Sequence, residues 1–210
     1  MIISPQLCEL IGAIIGDGNI YCGPPYYVEI TGHPQLDKDY FESFLIPTIT
    51  KELNYSPKLS LRWGARRIRI NNKNFVDFLI GMGIPYGKDK FRRVTIPDKI
   101  LFSSHENLNS CIRGIFDTDG CAHFDMREAY KRPYIRIELH MQNRRLLLQI
   151  QDILKRNCVP ATIPEKKETM YINGCYNVRK YLENIGFRNQ RHLNRIHRKY
   201  PELINFNKPR

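Results

Sequence analysis

Two short segments of this chain resemble each other and constrain the fold more than any other feature. Residues 10–18 read LIGAIIGDG and residues 112–120 read IRGIFDTDG. Each is an apolar helical run that closes on Asp-Gly, and the two lie about half a chain length apart. One structural unit therefore occurs twice in the sequence.

Each run carries small residues four positions apart, Gly12 and Gly16 in the first and Gly114 and Thr118 in the second. Residues at this spacing share a helix face, and small side chains there let two helix backbones approach closely. Each run is shorter than the roughly 20 apolar residues that span a bilayer. We therefore expect the two helices to pack against each other inside a globular protein.

The Asp-Gly pairs mark the ends of these helices. Gly18 and Gly120 stand where a left-handed C-terminal cap requires glycine, which places Asp17 and Asp119 at the negative poles of two helix dipoles. Two carboxylates at such positions repel each other, and a divalent cation would relieve that repulsion; oxygen ligands suit Mg²⁺. A plain turn after each helix is the alternative, which the matched duplication makes the weaker interpretation.

Composition indicates the partner. The chain has 33 Lys and Arg residues against 21 Asp and Glu residues, a net charge of +12, and this excess favours polyanions such as nucleic acid. Its six cysteines show no C-x-x-C pairing, so reduced thiols are expected rather than zinc or disulfides. The N-terminus lacks a secretory signal pattern. We expect a protein that is cytoplasmic, or organellar in a eukaryote, and not secreted or bound to a membrane.

After each Asp-Gly the apolar pattern changes from helical to alternating, which predicts strands. Both halves then follow the order helix, two strands, helix, two strands, helix. The pattern predicts strands at residues 27–31, 58–63, 67–71, 134–140, 161–163 and 169–173, and further helices at 36–53, 74–82, 144–157 and 176–185. A hairpin is expected to turn around Gly64-Ala65, and the strand at 161–163 is the weakest of the set.

Polar side chains line the solvent face of two predicted strand pairs. A β-ribbon fits the major groove, where Arg reads guanine and Asn reads adenine, although a polar strand face is often only solvated. Trp63 could stack on bases, whereas core packing is the usual place for an aromatic residue. The candidate DNA-binding residues on these faces are Lys58, Ser60, Arg62, Arg67, Arg69 and Asn71 in the first half and Arg136 and Glu138 in the second.

The segments that follow the last helix of each half are also related. Aligning Gly83 with Gly186 puts Lys88 opposite Arg191. A cation beside a scissile phosphate stabilises the charge that develops on the phosphorane or on the leaving oxygen. A basic residue in a surface loop is, taken alone, more often only solvated.

Together these segments resemble the LAGLIDADG homing endonucleases, in the monomeric form that carries two motif copies. The resemblance covers nearly the whole chain, including both motifs and the Gly-Ile-Pro-x-Gly-Lys segment at 83–88. It implies an α+β fold with two pseudo-symmetric αββαββα repeats, at residues 1–102 and 103–210. The motif helices would form the interface, and two antiparallel sheets would make a saddle for DNA.

The resemblance also implies the roles of individual residues. The last acidic residue of each motif binds metal in the family, which carries over to Asp17 and Asp119, with the carbonyls of Gly16 and Thr118 assisting. A central lysine corresponds best to Lys88, with Lys90 in reserve, and Arg191 stands where the other half would have lysine. The strand-end residues that could position water or contact DNA are His33, His140 and Gln142.

Two positions depart from the family pattern. The earlier aspartate of the motif is Ile15 in the first copy and is kept as Asp117 in the second. Arg113 occupies a position that is often small, and its direction, toward DNA or toward solvent, stays open.

The activity implied is a site-specific double-strand DNA endonuclease, recognising a long asymmetric target through major-groove contacts. It would work as a monomer with two or three divalent ions: Mg²⁺ by default, Mn²⁺ as a substitute, and Ca²⁺ binding without cleavage. An RNA maturase acting on intron RNA, or a non-cleaving DNA-binding protein of the same fold, is the alternative.

Overall fold

The computed structural model describes residues 3–126 and 132–204. The first half contains α1 (Pro5–Ile15), β1 (Gly18–Tyr21), β2 (Tyr27–Gly32), α2 (Lys38–Tyr40), a π-helical turn (Phe41–Leu45), α3 (Ile46–Leu53), β3 (Lys58–Arg62), β4 (Ala65–Ile70), α4 (Lys73–Gly81), α5 (Lys90–Arg93) and α6 (Asp98–Leu101). The second half contains α7 (His105–Asp119), β5 (Gly120–Asp125), β6 (Tyr134–His140), α8 (Arg144–Arg156), β7 (Thr169–Asn173), α9 (Gly174–Asn184), α10 (Gln190–His197) and a 3₁₀ turn (Pro201–Leu203).

Two antiparallel sheets are formed within the described residues, with strand orders β1-β2-β4-β3 and β5-β6-β7. In each sheet one face is apolar and buried, as Val28, Ile30, Ile68 and Ile70 are in the first sheet and Ile135, Ile137 and Ile172 in the second. The predicted α+β fold class with two antiparallel sheets is thereby confirmed. No helix among the described residues has the length and apolarity to cross a membrane.

The motif helices α1 and α7 pack together at the centre of the molecule. Glycine is required at this contact: a β-carbon on Gly12 would overlap the carbonyl of Cys111, and one on Gly114 would overlap the carbonyl of Glu9. The small-residue faces of the two helices therefore allow the close backbone contact that their spacing predicts. A side chain of any size at either glycine would force the two helix axes apart.

The predicted left-handed caps at Gly18 and Gly120 are wrong. Neither glycine has a positive φ, and Gly120 caps α7 at φ −78° and ψ 156°. Glycine is needed there for a different reason, close approach of the chain to the helix it has just left. A β-carbon on Gly18 would lie 2.5 Å from the carbonyl oxygen of Ile14, and one on Gly120 would overlap that of Phe116.

The strand predicted at 161–163 reduces to an isolated bridge between Thr162 and Tyr171. Pro160 and Pro164 flank it, and proline lacks the N–H that a longer ladder needs. The hairpin of the first half turns at Trp63-Gly64, one residue earlier than expected, because Arg62 pairs with Ala65. The other predicted helices and strands lie within two residues of the observed ends.

Candidate active site

The two motif aspartates meet where α1 and α7 end. Asp17 is open to solvent and Asp119 is half-buried. A β-carbon on Gly16 would lie only 2.5 Å from Oδ2 of Asp119, so the end of one motif is pressed against the carboxylate of the other. Desolvation within the site and the charge of Asp17 raise the pKa of Asp119 to about 7, and desolvation likewise raises the pKa of Asp17. The pair is an electrostatically unfavourable arrangement that a cation would relieve.

The carboxylates open into a surface crevice. Its walls are Ile15, Gly16, Asp17, Phe91, Asp119, His140, Met141 and Gln142. The predicted strand-end residues His140 and Gln142 are therefore beside the carboxylates, and Nδ1 of His140 lies 3.0 Å from the hydroxyl of Thr169. Phe91 of α5 also lines the crevice, and the sequence did not predict it there.

The donor set fits a hard divalent cation. Among the described residues no cluster of three or more His, Cys, Asp and Glu side chains could hold a metal, so the acidic ligands here are the two aspartates alone. Mg²⁺ is bound in this way, through one or two carboxylates, with water and substrate phosphate completing the shell. The carbonyl of Gly16 lies at the same end of α1, while that of Thr118 already accepts a bond from Nη2 of Arg191 at 2.8 Å.

Lys90, not Lys88, is the lysine that the structure brings to the carboxylates. Lys88 is exposed in the turn before α5, whereas Lys90 is 5% exposed and its Nζ donates to the carbonyls of Ile14 (2.5 Å) and Ile15 (2.8 Å). Burial lowers the pKa of Lys90 to about 8, although the charges of Asp119 and Asp17 oppose that shift. The amine thus covers the C-terminal carbonyls of α1.

Arg191 occupies the matching position on the second half. Its Nη2 donates to the carbonyls of Asp117 (3.2 Å) and Thr118 (2.8 Å), which are at the end of α7. Its Nη1 lies 2.9 Å from Oδ1 of Asp37, and Nε donates to His192 at 3.1 Å. Arg191 and Lys90 therefore play equivalent parts at the two motif ends, and aligning Gly83 with Gly186 misses this because the first loop is two residues longer.

Asp37 had no sequence signal. It is 4% exposed and belongs to the first half, yet it binds Arg191 and accepts from the amide of Asn189 at 2.7 Å. The backbone N–H of His33 also donates to Asp37 at 2.7 Å, and Nδ1 of His33 accepts from the N–H of Leu36. The exposed ring of His33 is thus part of the turn that positions Asp37, and it is not among the residues lining the crevice.

A second polar network joins the halves behind the site. Glu9, 1% exposed within an otherwise apolar helix, accepts from Arg188 and from Arg113. Arg113 therefore points toward Glu9 on α1 and the carbonyl of Ile185, to which its Nε donates at 2.8 Å. Asp117, 1% exposed, accepts the N–H groups of Arg188 and Asn189, and burial raises its pKa to about 8. An acid in the apolar run of α1, together with Asp117 and Arg113 in the second motif, is the sequence signal for this network.

The polar residues of the β3–β4 hairpin share one face of the first sheet. Lys58 pairs with Arg69 and Ser60 with Arg67, so their side chains lie side by side, and the exposed Arg62 and Asn71 continue the two rows. An acid stands between the arginines: Glu29 on β2 binds Nη1 of Arg67 at 3.3 Å and both Nε and Nη2 of Arg69 at 2.9 and 2.7 Å. Glu29 thereby fixes the directions of two candidate base-reading side chains.

The corresponding face of the second sheet is less basic. Arg136 and Glu138 are bonded to each other, and the guanidinium of Arg136 lies 5.3 Å from the centroid of the Tyr171 ring. The two faces therefore differ in charge and in side-chain pattern.

Comparison with known proteins agrees with this fold. Residues 106–186 match the LAGLIDADG-like domain family. A structure of I-DmoI in complex with DNA and Mn superimposes with a TM-score of 0.58 at 20% identity, covering 88% of this chain and 98% of that one. The chain has the two-motif LAGLIDADG fold.

Two further structures extend this comparison. I-DmoI in complex with DNA and Ca matches with a TM-score of 0.58 at 21% identity over 87% of this chain and 90% of that one. The homing endonuclease I-WcaI bound to its DNA recognition sequence matches with a TM-score of 0.59 at 17% identity over 99% and 89%. No curated protein matches the chain by sequence. The resemblance of this chain to two-motif homing endonucleases is thus confirmed for the fold.

Proposed function

We propose that this LAGLIDADG protein is a homing endonuclease, a site-specific enzyme that hydrolyses both strands of a DNA target with divalent metal ions. The observation that carries the proposal is the meeting of Asp17 and Asp119 at the joined ends of the two motif helices, in a crevice open to solvent. The net charge of +12 supports a DNA partner, and the similar proteins I-DmoI and I-WcaI were solved with DNA.

The residues around the crevice have different proposed roles in hydrolysis. Asp17 and Asp119, helped by the carbonyls of Gly16 and Thr118, would hold the metal ions, which supply Lewis-acid polarisation of the phosphate and an activated water. Lys90 and Arg191 hold positive charge at the two motif ends, where negative charge develops on the scissile phosphates. His140 and Gln142 stand on the crevice wall, within reach of a water positioned there.

The two sheets indicate the length and the asymmetry of the DNA target. We infer that repeats 1–102 and 103–210 each read one half of a long site, through the major groove, as one monomer. Because the faces around Arg69 and around Arg136 carry different side chains, the target is asymmetric. Mg²⁺ is the expected ion, with Mn²⁺ substituting and Ca²⁺ supporting binding only, and intron homing is the proposed biological role.

An RNA maturase or a non-cleaving DNA-binding protein is the competing proposal. Either activity would use the basic faces but has no need for a pair of mutually repelling carboxylates in an open crevice. The pair therefore favours hydrolysis, and intron RNA stays the partner only of the alternative.

Incubation with a plasmid library carrying randomised inserts tests the function. With Mg²⁺ we expect linear product from a small subset of inserts, whose sequencing gives the target, and with EDTA we expect none. Replacement of Mg²⁺ by Ca²⁺ should retain binding of the selected inserts without cutting. Binding without cleavage in either Mg²⁺ or Mn²⁺ would instead support the non-cleaving alternative.

The Glu29-anchored arginines make a prediction about base reading. Arg69→Ala should reduce discrimination at a guanine position by about 1–3 kcal/mol, because a bidentate contact is lost. Glu29→Gln should reduce discrimination at the same position without weakening overall binding, since it frees Arg69 while removing a negative charge. Affinities for all single-base variants of the selected target measure both effects.

Arg156 on α8 is the matched control, an exposed arginine paired with Asp152 at 2.7 Å, and Arg156→Ala should leave the profile unchanged. Equal weakening of Arg69→Ala on every sequence variant would assign Arg69 to the phosphate backbone instead.

A further inference from the structure

Trp63 stands at the tip of the β3–β4 hairpin, on the same face as the basic residues. It is the only tryptophan in the chain, and 84% of its surface is exposed. With Lys58, Arg62 and Arg67 it lines a shallow groove on the sheet. Tryptophan carries the largest apolar surface of any side chain, so leaving it in water forgoes stabilisation that burial would give.

The backbone at this position also disfavours tryptophan. Trp63 and Gly64 form a two-residue hairpin loop with φ values of 51° and 70°. Two successive positive φ angles are the pattern of a type I′ turn, where Asn-Gly is the preferred sequence because asparagine tolerates the left-handed region. A bulky residue at the first position is strained, so neither local structure nor packing explains this residue.

Arg67 links Trp63 to the basic face. Its guanidinium carbon lies 4.8 Å from the centroid of the Trp63 ring, a cation–π contact that supports the ring from one side. The Nε of Arg67 is buried and has no hydrogen-bond partner among the described residues. The indole ring thus projects into solvent, with the guanidinium of Arg67 packed against one face.

We propose that Trp63 is a DNA-contacting residue whose ring stacks on a base of the target at a step that the protein deforms. The inference rests on the proposed function, and the positive charge of Lys58, Arg62 and Arg67 around the ring is what favours DNA as its partner. Because an aromatic ring can stack on any of the four bases, the contact would favour DNA sequences in which neighbouring base pairs separate easily, whatever the base. Pyrimidine–purine steps unstack most readily, so Trp63 gives specificity through shape.

The sheet register locates the contact. Gly18, Ile30, Ile68 and Leu59 lie side by side across the sheet, so Leu59 is three strand spacings from the start of β1. Trp63 is four residues further along, which gives a separation of about 20 Å from the end of the first motif. At about 3.4 Å per base pair, the deformed step lies within about six base pairs of the cleavage centre.

The single tryptophan makes the test direct. The full chain is titrated in Ca²⁺ with the duplex recovered from the randomised library, and binding is followed independently by anisotropy of a labelled DNA end. We expect the emission of Trp63 to be quenched and its collisional quenching by acrylamide to fall severalfold on binding. Trp63→Asn should weaken binding by about tenfold, as loss of one base–aromatic stack predicts, without lowering the melting temperature, because asparagine suits the turn.

Phe102 provides the matched control. It is 85% exposed but follows α6 near the start of α7, at the opposite end of that motif helix from Asp119, and Phe102→Ala should bind DNA like the parent. Binding by anisotropy with unchanged tryptophan emission, or full affinity in Trp63→Asn, would overturn the inference and leave the proposed function intact. Absence of any selected duplex would overturn the proposed function itself.

Discussion

Replacing Asp17 or Asp119 by asparagine should abolish double-strand cleavage while binding in Ca²⁺ survives. In the proposed mechanism each carboxylate holds metal at the centre of the site, and asparagine keeps the shape of aspartate but not its charge. We expect cleavage rates in Mg²⁺ to fall by about 10³-fold or more, because both water activation and phosphate polarisation depend on the metal. Rates are measured on the selected target in linear DNA, with both strands labelled.

The crowding of the pair adds a finer expectation. The end of α1 at Gly16 is pressed against Asp119, so a change at either aspartate should alter the surroundings of both carboxylates. We therefore expect loss of cutting on both strands rather than conversion to a nicking enzyme. Asp152→Asn on α8 is the control, since it removes an exposed carboxylate whose ion pair within the described part of the chain is with Arg156. Full cleavage by Asp17→Asn or Asp119→Asn would remove the site assignment.

The parts of this architecture that sequence predicts are those set by local pattern. The contact between α1 and α7 follows from Gly12 and Gly114, because close helix packing leaves its mark as small residues at a fixed spacing. The strands are likewise predicted by a local pattern, the alternation of apolar and polar residues. The strand at 161–163 shows the limit, since two flanking prolines outweighed an alternating pattern too short to form a ladder.

The supporting residues of the site could not be predicted in this way. Asp37 reaches Arg191 across the two halves, and Glu9 reaches Arg188 over most of the chain length. No periodicity relates such pairs, because their contact depends on the paths of loops as well as on the packing of α1 against α7. The sequence favours Lys88 over Lys90 for a related reason. The loop from Gly83 to Lys90 is two residues longer than the loop from Gly186 to Arg191, so pairing the two loops residue by residue puts the exposed Lys88 opposite Arg191.

Lys90→Met should slow cleavage of one strand far more than the other. Lys90 uses two of its three N–H donors on the carbonyls of Ile14 and Ile15, which leaves one for a phosphate or a water. Arg191 has its donors committed to Asp37, His192 and the end of α7, so it acts through charge alone. Methionine fills the buried space of the lysine stem, and we expect a loss of about 10²–10³-fold on the affected strand.

The parent enzyme should already show this asymmetry. A compact ammonium with a free donor stabilises a developing charge differently from a planar guanidinium whose donors are bonded to other protein groups. The two strands should therefore be cut at different rates, and a nicked plasmid should accumulate before the linear product. In Lys90→Met the nicked form should become the main product. Lys88→Met is the control and should match the parent, because Lys88 is exposed in the turn before α5. Equal strand rates in the parent together with equal loss on both strands in Lys90→Met would show that Lys90 serves the fold of α1 and not one scissile phosphate.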